Sequence, residues 1–156
     1  MTEPLDLELL ANTAIFRDLD DTELAQVAWI CDMVSLKWDE YVFREGDEGD
    51  RLYLITKGAV RISRNVPGTG EEAIIVLKRG ACFGEMAVFD PSTRSTDAIV
   101  DSRCDLITIK RDDFELLLAS NAVLANKVYR AIISLLSQRL RATNDNLKSI
   151  FVIAMF

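Results

Sequence analysis

The stretch EYVFREGDEGDRLYLITKGAVRISRNVPGTGEEAIIVLK, residues 40–78, decides the fold. It holds short runs rich in Val, Ile, Tyr and Phe with period-two character, punctuated by EGDEGD and by KG. Alternation of that kind sends successive side chains to opposite faces of a sheet, so the runs read as strands. VPGTGEE is a strong turn signal between AVRISR and AIIVLK, and predicts that those two runs form a hairpin. All seven glycines (46, 49, 58, 68, 70, 80 and 84) fall between residues 46 and 84. Turns in the middle and helices at the two ends follow from that distribution.

Outward from this stretch, VSLKW precedes it as a further strand, KRGACFGE makes another turn, and STDAIV and CDLITI supply two more strands. Strands recurring every ~8–12 residues suggest an antiparallel roll or barrel. Towards the N-terminus, LELLANTAIFRDLDDTELAQVAWICDMV reads as helical. Asp20 is an N-cap with Glu23 three residues on, and Leu24, Val27, Ala28 and Cys31 form one buried face. From about Arg111 the helical pattern returns: DDFELLLAS is a short helix, and Asn121 caps a long one starting near Ala122. The expected fold class is α+β, mainly β: an antiparallel β-roll or jelly roll flanked by N-terminal helices and a long C-terminal helix. It is one domain, with a helical segment 1–33, a roll 34–110 and helices over 112–150.

The long helix carries two apolar stripes. Leu124, Val128, Ile132 and Leu135 form one, suited to packing on the roll. Tyr129, Ile133, Leu136, Leu140, Thr143, Leu147 and Ile150 form the other, in alternating steps of four and three, which is heptad spacing. A helix apolar on two sides has two neighbours to satisfy. The second neighbour is expected to be the same helix of another subunit, giving a homodimer; burial inside a monomer core is the alternative. The tail SIFVIAMF is too apolar to sit free in water, and either extends the helix or folds back on the roll.

Composition excludes several functions. The formal charge of −7 and pI of about 4.6 have the wrong sign for a protein that grips nucleic acid directly, and Lys and Arg form no dense cluster. There is no histidine, which removes histidine general bases, histidine metal ligands and histidine pH switches. Cys31, Cys82 and Cys104 follow no metal-ligand spacing and read as reduced thiols of a cytosolic protein. No metal site, catalytic residue or cofactor is expected. MTEPLDLELL lacks the basic region of a secretory signal, and no run approaches the ~18 apolar residues of a membrane span. A cytoplasmic protein that is not an enzyme is the expectation.

The chemistry concentrates in FGEMAVFDPSTRSTDAIV, residues 83–100. Gly84 permits a sharp turn, and EMAVF allows one short helical turn whose first amides point together and favour an anion. Arg94, arriving after DPST, can add a two-pronged hydrogen bond to phosphate oxygens. Glu85 beside an anion is repulsive unless it accepts hydrogen bonds, a demand that a sugar hydroxyl close to a phosphate would meet. A bound sugar phosphate or nucleotide therefore stands against the plainer reading, a surface Glu–Arg ion pair.

FGEMA followed by a short loop and RS resembles the phosphate-binding cassette, here residues 83–96, of cyclic nucleotide-binding domains, as in catabolite activator proteins and kinase A regulatory subunits. IFRDLDDTELAQVA is similar to that family's opening helix, EGDEGDRLYLITKGAVRIS to its second block of strands, and CDLITIKRDDFELLL to its last strand and hinge helix. RLRATNDNL resembles the C-helix of the catabolite activator subfamily, so the likeness runs in order over about residues 9–147. It implies a cAMP or cGMP ligand. Glu85 would accept the ribose 2′-hydroxyl with the Gly84 amide beside it, in the cassette formed by Phe83, Gly84, Glu85, Met86 and Ala87. Arg94 would pair with the cyclic phosphate, helped by the Ser95 hydroxyl and by amides that include Ala87 and Thr96. Ile62, Ile74 and Leu77 would wall the base. Thr143 and Asn144 match C-helix positions that meet the base, one from each side of a dimer.

Two residues depart from the family pattern: Thr96 replaces the usual alanine, and Asp97 stands where threonine or serine is common. Thr96 adds bulk beside the phosphate amides, and Asp97 is harmless only if it points outward. Ser95 rather than threonine after the arginine favours cAMP over cGMP. Catabolite activator proteins continue into a helix-turn-helix, for which nothing after Asn144 leaves room, so output is expected through a partner protein or a further domain. The rival is a degenerate member that no longer binds nucleotide and serves as a dimerising adaptor.

Overall fold

Strand β3, Arg51–Val66, is the long spine around which the other strands assemble. In the computed structural model, which describes residues 5–155, the chain order is α1 (Leu7–Ala11), α2 (Asp21–Trp29), β1 (Cys31–Leu36), β2 (Tyr41–Phe43), β3, β4 (Gly70–Lys78), β5 (Cys82–Phe83), α3 (Met86–Phe89), β6 (Asp97–Lys110), α4 (Arg111–Ser120) and α5 (Ala122–Met155). All strand pairs are antiparallel, in the order β1-β6-β3-β4, with β2 added to β6 and β5 to β3. This is the expected antiparallel β-roll between N-terminal helices and a long C-terminal helix.

Period-two alternation divides the apolar residues of β3 and β6 between two cores. Leu52 and Leu54 of β3, with Ile107 and Ile109 of β6, join Phe16, Phe114, Leu124 and Val128 under the helices. Their neighbours Tyr53, Ile55, Cys104 and Leu106 point the other way, into the roll with Val60, Phe83 and Val100. Strands apolar on both faces are what a sheet covered on both sides requires.

The capping box at Asp20 is present: its carboxylate accepts the Glu23 amide at 2.8 Å, and Glu23 accepts the Asp20 amide at 2.9 Å. Asn121 caps α5 by accepting the Leu124 amide at 3.1 Å. The predicted hairpin joins β3 and β4 from Ala59↔Lys78 to Val66↔Gly70, with one register shift between Ile62 and Ser63.

Two expectations are corrected. Cys31 is not on a helical face but opens β1, opposite Ile109 of β6, so the roll begins at 31 rather than 34. Strand pairing there outweighs the helical spacing, and the Cys31 thiol donates back to the Val27 carbonyl at 3.2 Å. DAIV and CDLITI belong to one continuous 14-residue strand, Asp97–Lys110: the exposed Asp101–Arg103 between them shifts the register but leaves Ser102 paired with Ala59 of β3. Ile74 is 58% exposed, because β4 pairs only with β3 and is an edge strand.

The three thiols are free. Burial, with Asp32 adding, pushes Cys31 up to about 12; burial, with Asp105 adding, pushes Cys104 up to about 11. Burial is also the main cause that raises Cys82. Thiols held protonated are inert. No described helix is long and apolar enough to cross a membrane.

The first stripe of α5 packs as expected: Leu124, Val128 and Ile132 are buried, and Leu135 is half-buried. The second, including Ile133, Leu140, Leu147 and Ile150, is exposed along the helix. The apolar tail extends α5 to Met155.

Candidate nucleotide site

Phe83 of β5 pairs with Tyr53 of β3 and stacks on its ring, centroids 5.1 Å apart. The chain then turns at Gly84, whose φ is +75°. A Cβ at that position would lie 2.8 Å from Arg94 Nη1, so the turn and the close approach both demand glycine. Glu85 follows as the residue before the four-residue helix α3. On the other wall, the EGDEGD loop grips the chain around Arg94: the Gly46 amide donates to Arg94 O (2.9 Å), and the Arg94 amide to Asp47 O (2.8 Å).

The side chain of Arg94 is thereby driven inward, leaving the residue 5% exposed. Nη1 donates to Gly84 O at 2.9 Å and Nη2 to Arg51 O at 2.6 Å, while Nε has no partner. The guanidinium lies 4.2 Å from the centroid of the Phe43 ring. Among the described residues no carboxylate comes within 4.0 Å of it, and burial pulls its pKa below the usual arginine value. Asp50 and Asp47 oppose that shift from a distance, but a buried cation without an ion-pair partner is costly, and an anion delivered to this spot would relieve it.

Glu85 is 2% exposed and is not left alone. Its Oε1 accepts a hydrogen bond from Nη1 of Arg139, which reaches over from α5. The two acid–base residues of the cassette therefore do not pair with each other: Arg94 binds carbonyls, and Glu85 binds the long helix. That rules out the plain Glu85–Arg94 surface ion pair.

Between them lies a cavity of about 380 Å³, within the ~300–1,000 Å³ typical of small-molecule clefts. Phe83, Gly84, Glu85, Met86, Ala87, Arg94, Ser95, Thr96, Ile62, Ile74 and Leu77 all line it. Its apolar wall from β3 and β4 faces its charged floor. Thr143 and Asn144 do not line it; both are exposed on α5, with Thr143 one turn beyond Arg139 and its hydroxyl donating to Arg139 O. Arg139, Phe43, Ile75, Ser92 and Thr93 line the cavity and were not anticipated. A signal for Arg139 existed, since a glutamate with a polar task in a −7 protein needs a cation and RLR lies one turn before Thr143.

Asp97 points away from the cavity, where its Oδ1 accepts the Glu45 amide at 2.7 Å. It ties β6 to the EGDEGD loop. Asp97→Ala is expected to cost about 1 kcal/mol in urea unfolding and to leave ligand affinity unchanged in a titration. Gly49 meets the cassette from the other side: a Cβ there would sit 1.9 Å from the Ala87 Cβ. Gly49→Ala must displace α3, with an expected destabilisation of about 1–3 kcal/mol visible in thermal melts and a weaker ligand response.

Residues 33–121 match the family described as the cyclic nucleotide-binding domain. The chain belongs to that family. It is 31% identical over 140 residues to the CRP-like cAMP-activated global transcriptional regulator of Mycobacterium tuberculosis, covering 90% of this chain but 61% of that protein. The N-terminal domain of a transcriptional regulator from Streptomyces coelicolor is 30% identical, with a TM-score of 0.77 over 89% of this chain and 94% of that one. The catabolite activator protein of Thermus thermophilus superposes with a TM-score of 0.78 at 27% identity, over 88% of this chain and 63% of that one. The chain thus spans about three-fifths of the curated relative it matches.

Proposed function

We propose that the protein is a cytoplasmic cyclic-nucleotide sensor that binds cAMP in preference to cGMP and signals through α5. The observation that carries this reading is Arg94, a buried guanidinium with an unpaired Nε and no ion-pair partner, lining a cavity of nucleotide size. The cyclic phosphate supplies the missing anion. The ribose hydroxyl donates to Glu85, whose second oxygen is not engaged by Arg139. Ile62, Ile74 and Leu77 offer the base an apolar wall. Ser95, and the cAMP named for the Mycobacterium relative, support cAMP.

Signalling follows from Arg139. It connects the carboxylate that meets the sugar to the long helix, so a ligand that changes the hold of Glu85 on Arg139 biases where α5 lies. The exposed heptad stripe supports a homodimer in which two α5 helices pair. In that pair Thr143 and Asn144, outside their own cavity, are free to meet the partner's base. A partner protein or an output domain reads the helix arrangement.

Amide hydrogen exchange across residues 133–147 tests this output. Saturating cAMP is expected to change protection there more than cGMP does. Identical exchange with and without either nucleotide contradicts a sensor that reports through α5.

A further inference from the structure

The last turns of α5 are apolar all round. Ile150 continues the heptad stripe, but Phe151, Val152, Ile153 and Met155 lie off it and are 55–80% exposed. Pairing of two helices through the stripe therefore leaves them uncovered, and a helical segment apolar on every side calls for a second neighbour. At the opposite end of the molecule lies an apolar groove between α2 and α4. Trp29, 90% exposed, and Leu116, 71% exposed, stand in it beside Ala25 and Leu117. An exposed tryptophan is the residue type most enriched at binding hot spots, and an apolar groove between two helices is a seat for an amphipathic helix.

The two surfaces fit in length and charge. At 1.5 Å per residue, α2 and α4 are ~13 and ~15 Å long, and residues 147–155 are ~13 Å. Asp113 is the one charged residue lining the groove, and Lys148 the one charged residue in 147–155. A segment docked parallel to α4 sets Lys148 against Asp113. The occupant is not the chain's own tail: Asn121, which lines the groove, heads the 34-residue α5, and Met155 ends it, a separation of ~50 Å along a continuous helix. We infer that the α2/α4 groove receives residues 147–155 of α5 from a second copy of this chain. The contact is heterologous, distinct from the heptad pairing, and independent of nucleotide.

The test uses the full chain carrying Trp38→Phe, so that Trp29 is the sole tryptophan reporter. Three proteins are compared by light scattering and tryptophan emission over a dilution series: this background, the same with Leu116→Glu, and the same with Phe151→Asp and Ile153→Asp. All three added substitutions fall on exposed positions off the heptad stripe. With rising concentration the background is expected to gain mass and shift its Trp29 emission to the blue. The groove and tail variants each lose both signals, with association weaker by about tenfold or more. Mixing the two variants restores one contact, since one supplies an intact tail and the other an intact groove. Asp113→Lys weakens association and the pair Asp113→Lys with Lys148→Asp restores it. A background whose mass equals that of both variants and whose Trp29 emission is unmoved overturns the inference and leaves the groove to a different protein. Loss of mass in the tail variant alone also overturns it, since the tail then pairs elsewhere.

Discussion

Arg94→Ala is expected to abolish the nucleotide response while leaving the fold intact. Truncating one partner of a buried, hydrogen-bonded charge pair costs about 2–5 kcal/mol, a ~30- to ~4,000-fold rise in Kd. The effect on the ligand-free protein is smaller because two consequences oppose each other. Removing Arg94 deletes a buried cation that has no ion-pair partner, which stabilises, and strips the carbonyls of Gly84 and Arg51 of their donor, which destabilises. Thermal melts check this directly. At a nucleotide concentration ~100 times the wild-type Kd, wild type gains about 2.7 kcal/mol, and a variant with 100-fold weaker binding gains about 0.4 kcal/mol. Arg94→Lys keeps the charge but loses the planar fork, and is expected to fall between the two.

Arg139→Ala is expected to separate binding from signalling. Glu85 is left as a buried carboxylate without a cation, which lowers the stability of the ligand-free protein by about 1–2 kcal/mol; the value is modest because Arg139 is half-exposed. Nucleotide still binds, because Arg94 and the cassette backbone are untouched, and ligand now stabilises the variant at least as much as wild type. The ligand-driven change in hydrogen exchange along α5 disappears, since the link from cassette to helix is gone. Glu85→Gln combined with Arg139→Ala recovers most of the lost stability, because a neutral amide no longer needs the cation. Recovery in the double variant distinguishes this link from a general loosening of the helix.

What the residues alone revealed, and what they hid, follows from the range of each interaction. The capping box at Asp20, the Asn121 cap and the β3–β4 hairpin are decided within a few neighbours, and all three are present. The cassette was legible for the same reason: glycine turn, acid, small residues and arginine lie within fourteen positions, and their packing brings them to one cavity. Cys31 misled because helical spacing and strand pairing compete there, and the pairing partner Ile109 is far along the chain. Arg139 was hidden for the longest-range reason. Its partner Glu85 is 54 residues away, and only the packing of α5 across the cassette brings the two together.

Calorimetric titration of the wild-type protein with cAMP and with cGMP tests the central claim most directly. Saturable binding at one nucleotide per chain, tighter for cAMP and lost in Arg94→Ala, is the predicted result. Absence of binding by either nucleotide up to millimolar concentration would contradict it, and would leave Arg94 a buried charge with no ligand to answer it.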